Sequence, residues 1–180
     1  MKRLRYNLAI SLDGYIARPG GQFDWIIDDP SIDFAALTSQ FDTVVMGRRT
    51  YEVMRSLGPA AVLQSVAVVV CSKTLDGHTA PGVSLLSSGV SDAIAEMKRG
   101  HGKDIWLFGG GELARTLIDA DLVDTIEVSI MPVMLGEGIP MLQAGSTSPV
   151  LELTHYQTLT SGIVQLTYAV RHAAAGGTGS

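Results

Sequence analysis

Two stretches of the chain place bare backbone, in the first beside a pair of arginines, at the end of an apolar run and the start of a helical one. The first is Val44-Val45-Met46-Gly47-Arg48-Arg49-Thr50 and the second is Ile105-Trp106-Leu107-Phe108-Gly109-Gly110-Gly111-Glu112-Leu113. Glycine lets a ligand touch the main chain, and the free N–H groups and dipole of a helix N-terminus favour an anion. At the C-terminal end of a parallel strand that anion is commonly a phosphate. Neither stretch is a G-x-G-x-x-G fingerprint or a Walker loop, so neither supports a Rossmann or P-loop reading. The plain alternative is a tight strand-to-helix turn whose glycines serve packing. Arg48 and Arg49 add forked donors, and Ser72-Lys73 ends another apolar run with a hydroxyl and an ammonium. Together these four suit a nucleotide 2′-phosphate; taken singly they read equally as solvated surface.

A second group is acidic and aromatic. Asp24, Asp28, Asp29 and Asp33 surround Trp25, with Phe23 just before it. One acid beside stacking rings suits a planar heterocycle whose protonation it steers; the alternative is that the acids complement a helix N-terminus. Other chemistry finds little support. His78, His101, His155 and His172 are far apart, with no metal-ligand spacing, and read as surface or core histidines. Cys71, the single cysteine, closes an apolar strand and reads as a small buried hydrophobe. Ser31, Ser72 and Ser129 lack a G-x-S-x-G elbow.

The elements that must hold these residues follow from periodicity. Tyr6, Leu8 and Ile10 alternate with Asn7, Ala9 and Ser11, which predicts a strand ending at Asp13-Gly14. A loop at Arg18 to Gln22 follows, then a short helix from Phe34 to Phe41 with Asp29 as N-cap and Pro30 at its first position. Strands are expected over Thr43 to Met46, Val66 to Cys71, Val83 to Leu86 and Ile105 to Phe108. The unbroken valines of the second predict a strand buried on both faces of a parallel sheet. Helices are expected from Arg48 to Gly58-Pro59, from an N-cap at Ser91 through Lys98, and from Glu112 to Ala120. Asp124 to Met131 alternates again, and Val150 to Leu159 and Ile163 to Arg171, joined at Thr160-Ser161-Gly162, form a hairpin that ends the sheet antiparallel. Residues 1–172 thus make one α/β domain. Ala173 to Ser180 is expected to be a disordered tail.

With 180 residues, 46% of them hydrophobic, the chain can bury one core. Thirteen basic against eighteen acidic side chains give a net charge of −5, which offers no footprint for nucleic acid. A lone cysteine and the lack of a long apolar run point to the cytoplasm, without disulfide or membrane span.

The chain also resembles the dihydrofolate reductase superfamily, and more closely the reductase domain of the bifunctional riboflavin deaminase-reductase. The resemblance runs from Tyr6 to Tyr168 and rests on four motifs in order. They are Ser11-Leu12-Asp13-Gly14-Tyr15-Ile16-Ala17, Val45-Met46-Gly47-Arg48-Arg49-Thr50-Tyr51-Glu52, Phe108-Gly109-Gly110-Gly111-Glu112-Leu113 and Pro132-Val133-Met134-Leu135-Gly136-Glu137-Gly138-Ile139-Pro140. It implies a three-layer fold with helices on both faces of a mostly parallel sheet, NADPH across the strand ends, and hydride transfer to a ring or carbonyl carbon. By resemblance Ala9, Ile16 and Ala17 lie near the nicotinamide, and Gly47, Arg48, Arg49 and Thr50 form the phosphate turn. Ser72, with Lys73 beside it, meets the 2′-phosphate, and Gly109, Gly110, Gly111, Glu112 and Leu113 lie beneath the pyrophosphate, with a cis Gly109-Gly110 bond. The pterin-facing acid of dihydrofolate reductases falls at Ser31, with Asp33 two residues on, and its strand partner falls at Ser129. The tyrosine usual after the triple glycine is Ala114. Asp33 and Ser129 are therefore the expected catalytic pair, with Phe23, Trp25 and Ser31 on the substrate. The family's best-known substrate is 5-amino-6-(5-phosphoribosylamino)uracil, and its members pair as homodimers. A non-catalytic NADPH-binding protein and a dihydrofolate reductase proper are the alternatives.

Overall fold

The computed structural model describes residues 1–57, 66–75 and 80–172. In chain order its elements are β1 (Leu4–Ser11), β2 (Tyr15–Ala17), α1 (Phe34–Thr38), β3 (Phe41–Gly47), α2 (Arg48–Ser56), β4 (Ala67–Cys71) and β5 (Val83–Leu86). There follow α3 (Val90–Arg99), β6 (Asp104–Gly109), α4 (Gly111–Asp119), β7 (Thr125–Met131), β8 (Ile139–Pro140), β9 (Val150–Thr158) and β10 (Val164–Arg171). The main sheet has the order β5-β4-β3-β6-β1-β7-β10-β9. Its first six strands are parallel, while β10 runs antiparallel to β7 and β9 antiparallel to β10.

Alternation in β1 explains the layers. Leu4, Tyr6 and Ile10 point to one face, where Ile94 of α3 and Leu113, Leu117 and Ile118 of α4 pack on them. Each such side chain fully buried contributes about 1.5–3 kcal/mol. On the other face Tyr51 of α2 and Leu37 of α1 cover Val44, Met46, Val70 and Trp106. From β1 onward that second face carries Asn7, Glu127, Ser129 and Gln165, which line a cleft. This is the three-layer dihydrofolate-reductase-like fold, with its antiparallel edge. Val68, Val69 and Val70 are buried, as an inner parallel strand requires.

Local departures from expectation have local causes. Asp29 does not cap a helix. Its carboxylate accepts from the Ser31 amide (2.8 Å) and hydroxyl (2.6 Å), a turn that competes with helix formation. Asp33 is the cap instead, accepting from the Ala36 amide at 2.8 Å, so α1 starts at Phe34 and Phe41 already belongs to β3. The N-cap of α3 is Gly89, at φ 60°, and Ser91 lies inside the first turn. The ribbon of β2 and β8 was not legible, since strands of three and two residues leave no periodicity to read. The expected helix end at Gly58-Pro59, His78 and the tail from Ala173 lie outside the described residues.

Candidate active site

The C-terminal ends of β3 and β6 are neighbours, Met46 lying opposite Gly109, and each feeds a helix of nine residues. Gly47 caps α2 and Gly110 caps α4, both with extended backbone and neither with a side-chain cap. The amides of both first turns are therefore left to a ligand. The Gly109-Gly110 peptide is cis. A Cβ built on Gly47 would meet nothing nearer than the Gly110 nitrogen at 3.9 Å, and one on Gly110 nothing nearer than Thr50 Oγ1 at 3.7 Å. Packing does not demand glycine at either position, and the bare backbone there is open to the cleft. Gly111 differs. A Cβ there would lie 2.7 Å from the Pro140 carbonyl oxygen, so this glycine lets α4 approach β8.

These junctions open on a cleft of about 1600 Å³ along the strand ends. A single drug-sized ligand fills roughly 300–1000 Å³, so the cleft has room for a dinucleotide and a second molecule. Thr50, Glu112 and Leu113 line it beside the glycines. At the β3–β4 end stand Arg48, Arg49, Ser72 and Lys73. Arg48 lies 3.7 Å from Glu52, whereas Arg49 is exposed and makes no ion pair with any described residue. The Ser72 oxygen accepts from the Thr74 and Leu75 amides at 3.2 and 2.9 Å, which leaves its proton free to donate. Cys71 also lines the cleft, but burial pushes its thiol up to about 11, so it is neutral and unreactive near pH 7.

In the middle, Ala9 of β1 and Ile16 and Ala17 of β2 form a small apolar wall. Asp13 sets its position. Ser11 donates to Asp13 at 2.6 Å and accepts from the Tyr15 amide at 3.0 Å, while Asp13 also accepts from the amides of Leu135 (3.1 Å) and Gly136 (2.7 Å). The Ser11 hydrogen bond, and then those backbone amides, outweigh desolvation and hold the Asp13 carboxyl at about 2. It stays ionised and ties the segment before β8 to the end of β1.

The β7–β9 end is polar. Ser129 lies opposite Ala9 on one side and Gln165 on the other, and the Gln165 amide donates to the Ser129 hydroxyl at 3.1 Å. Phe23, Ser31 and Asp33 line the cleft from the loop and from the start of α1. Phe23 is 38% exposed, free to stack; the Ser31 hydroxyl is occupied by Asp29, and one Asp33 oxygen by its cap. Trp25 does not join them. It is 8% exposed, packed with Met131 and Ile163, and acts as core behind the wall rather than as a stacking platform. Sequence reasoning missed Asn7, Glu127, His155, Gln157, Gln165 and Thr167, all of which line the cleft. Only strand register brings them together. Glu127 is the one acid among them: burial alone would raise its pKa, but Arg5, Asn7 and Thr125 hold it below the ordinary value.

Residues 2–165 match the model of the RibD C-terminal domain. The chain belongs to that family. YyaP of Bacillus subtilis (strain 168) is 31% identical over 178 residues, which is 93% of this chain and 94% of YyaP. A Shewanella sp. PV-4 protein, described as a candidate riboflavin biosynthesis protein, superposes with a TM-score of 0.81 at 27% identity, over 96% of this chain and all of that one. The diaminohydroxyphosphoribosylaminopyrimidine deaminase/5-amino-6-(5-phosphoribosylamino)uracil reductase of Thermotoga maritima gives 0.67 at 16% identity, over 94% of this chain and 57% of its own. Dihydrofolate reductase of Enterococcus faecalis, complexed with NADP(H) and RAB-propyl, gives 0.68 at 19%, over 93% and 96%. At these identities the last two establish the shared fold. Membership of the RibD C-terminal family on this fold marks a reductase-type domain. Among the described residues no helix is long and apolar enough to cross a membrane.

Proposed function

We propose that this RibD-type chain is an NADPH-dependent reductase of a planar heterocycle. The observation that carries the reading is the pair of helix N-termini behind Gly47 and Gly110, without side-chain caps, opening on one cleft whose end holds Arg49, Ser72 and Lys73. Bound NADPH supplies a hydride to an electrophilic carbon of the substrate. The first-turn amides of α2 and α4 hold the pyrophosphate, with Thr50, Glu112 and Leu113 shaping the seat. Arg49, assisted by Arg48, Ser72 and Lys73, takes the 2′-phosphate. Ala9, Ile16 and Ala17 form the wall on which the nicotinamide rests and exclude water from it. Phe23 stacks on the substrate ring, Ser31 borders it, and Ser129 positions its polar edge. Asp33, through the oxygen its cap leaves free, passes a proton from solvent to the reduced ring.

The same reading makes the protein cytoplasmic, where NADPH is supplied, and gives it no nucleic-acid partner, in keeping with its charge of −5. It also makes it a homodimer. Every residue of β9 is exposed, including Val150, Leu151, Leu153 and Tyr156, and its outer edge pairs with no described strand. An unpaired edge strand that exposes four apolar side chains is what a second copy covers.

NADPH oxidation, followed by absorbance against a panel of pyrimidines and pteridines, tests the activity. Steady turnover with at least one member is expected; NADPH binding without turnover on any of them removes the catalytic half of the reading.

A further inference from the structure

Register places six polar side chains in two rows on the open face of the sheet. Ser129, Gln165 and Gln157 are directly opposite one another on β7, β10 and β9, and Glu127, Thr167 and His155 form the next row. All six line the cleft. Strands about 4.8 Å apart and residues two apart along each give a patch of roughly 10 by 7 Å, the footprint of a one- or two-ring heterocycle.

The chemistry of this floor is specific. Glu127 is its one carboxylate and is already saturated, accepting from Arg5 Nε and Nη2, from Asn7 and from Thr125 at 2.6 to 2.9 Å. Arg5 is 10% exposed and committed to that acid, so the pair presents no net charge. What remains is hydroxyl, imidazole and two carboxamides. The Gln165 amide spends one N–H on Ser129, and its other N–H and its carbonyl oxygen are available, as is the whole Gln157 amide among the described residues. A carboxamide offers a donor beside an acceptor, the complement of a ring lactam.

Cations are elsewhere. All thirteen Lys and Arg residues fall among the described positions, and those lining the cleft, Arg48, Arg49 and Lys73, stand at its opposite end, over β3 and β4. A phosphoryl group on the substrate would give up its hydration for no charge-assisted partner, in a cleft that Asp33 also lines.

We infer that the substrate is an uncharged lactam heterocycle without a phosphate ester, read by Gln165 and Gln157. The inference rests on the reductase reading and departs from the phosphoribosyl compound named for the Thermotoga enzyme. Its test is equilibrium binding to the full chain without cofactor, using uracil, pteridine and lumazine rings, each as free ring or glycoside and as phosphate ester. At least about a tenfold preference for the uncharged member of a pair is expected. Gln165→Leu should weaken that binding by a similar factor with NADPH affinity unchanged, and Gln157→Arg should shift preference toward the ester. Equal or tighter binding of the esters overturns the inference, as does failure of every ring to bind to protein that still binds NADPH. Loss of NADPH binding itself would instead overturn the reductase reading.

Discussion

The Arg5 guanidinium holds the Glu127 carboxylate through two N–H groups, Nε to Oε1 at 2.6 Å and Nη2 to Oε2 at 2.8 Å, at the polar end of the cleft. The two side chains are only 10% and 11% exposed, and Arg5 also stacks over Phe41 at 4.6 Å. Removing the acid takes away the cation's bidentate partner and leaves it the longer contact to Asp104 at 3.5 Å and the Gln40 side-chain carbonyl oxygen at 2.7 Å. Glu127→Ala should therefore cost about 3 kcal/mol in urea unfolding near neutrality. The folded pKa of Glu127 lies below its ordinary 4.5, so its stabilisation is full above that value and is lost as pH falls through the folded one. The gap between variant and parent should be narrower at about pH 3 than at about pH 7; a gap that widens in acid contradicts the pairing.

Gly47 and Gly111 should respond oppositely to alanine. At Gly47 the backbone is extended and the Cβ has room, so Gly47→Ala should fold with unchanged stability yet bind cofactor at least about tenfold more weakly, because the methyl occupies the cleft. Gly111→Ala drives a Cβ to 2.7 Å from the Pro140 carbonyl and should destabilise the chain by about 1–3 kcal/mol. Thermal unfolding and calorimetric titration of the two variants separate these roles.

Arg49 and Arg48 are adjacent in sequence but not equivalent. Arg48 has Glu52 within 3.7 Å, and Arg49 has no described acid. Arg49→Ala should lower NADPH affinity about ten- to a hundred-fold and leave NADH nearly unchanged, with Arg48→Ala the smaller effect. An unchanged cofactor ratio in both variants removes the 2′-phosphate from this end of the cleft.

Sedimentation at micromolar concentration should show particles of about twice the 19.1 kDa chain mass. Leu153→Arg, which puts charge among the exposed apolar side chains of β9, should shift them to monomer. A parent protein that sediments as monomer removes the dimer.

The glycine junctions of the cleft, where the cofactor is proposed to sit, were legible in the sequence because their signals are local. Val44 to Gly47 and Ile105 to Gly109 are apolar runs that stop at glycine where a helix begins, and the four valines of Val66 to Val70 announce an inner parallel strand. The polar floor over β7, β10 and β9 was not. Glu127, Gln157 and Gln165 each look like the polar half of an alternating strand, and only the pairing of β7, β10 and β9 puts them on one floor. Trp25 misled for a related reason: its neighbours in sequence are acids, but its neighbours in space are Met131 and Ile163. At the start of α1 two aspartates compete within five residues, and the turn at Asp29 wins over the cap that Pro30 suggested.

The most direct test of the whole account is calorimetric titration of the full chain with NADPH and with NADH. The arrangement of Gly47, Gly110 and Arg49 predicts saturable binding of one NADPH per chain, tighter than NADH by about ten- to a hundred-fold. Absence of saturable NADPH binding would contradict it.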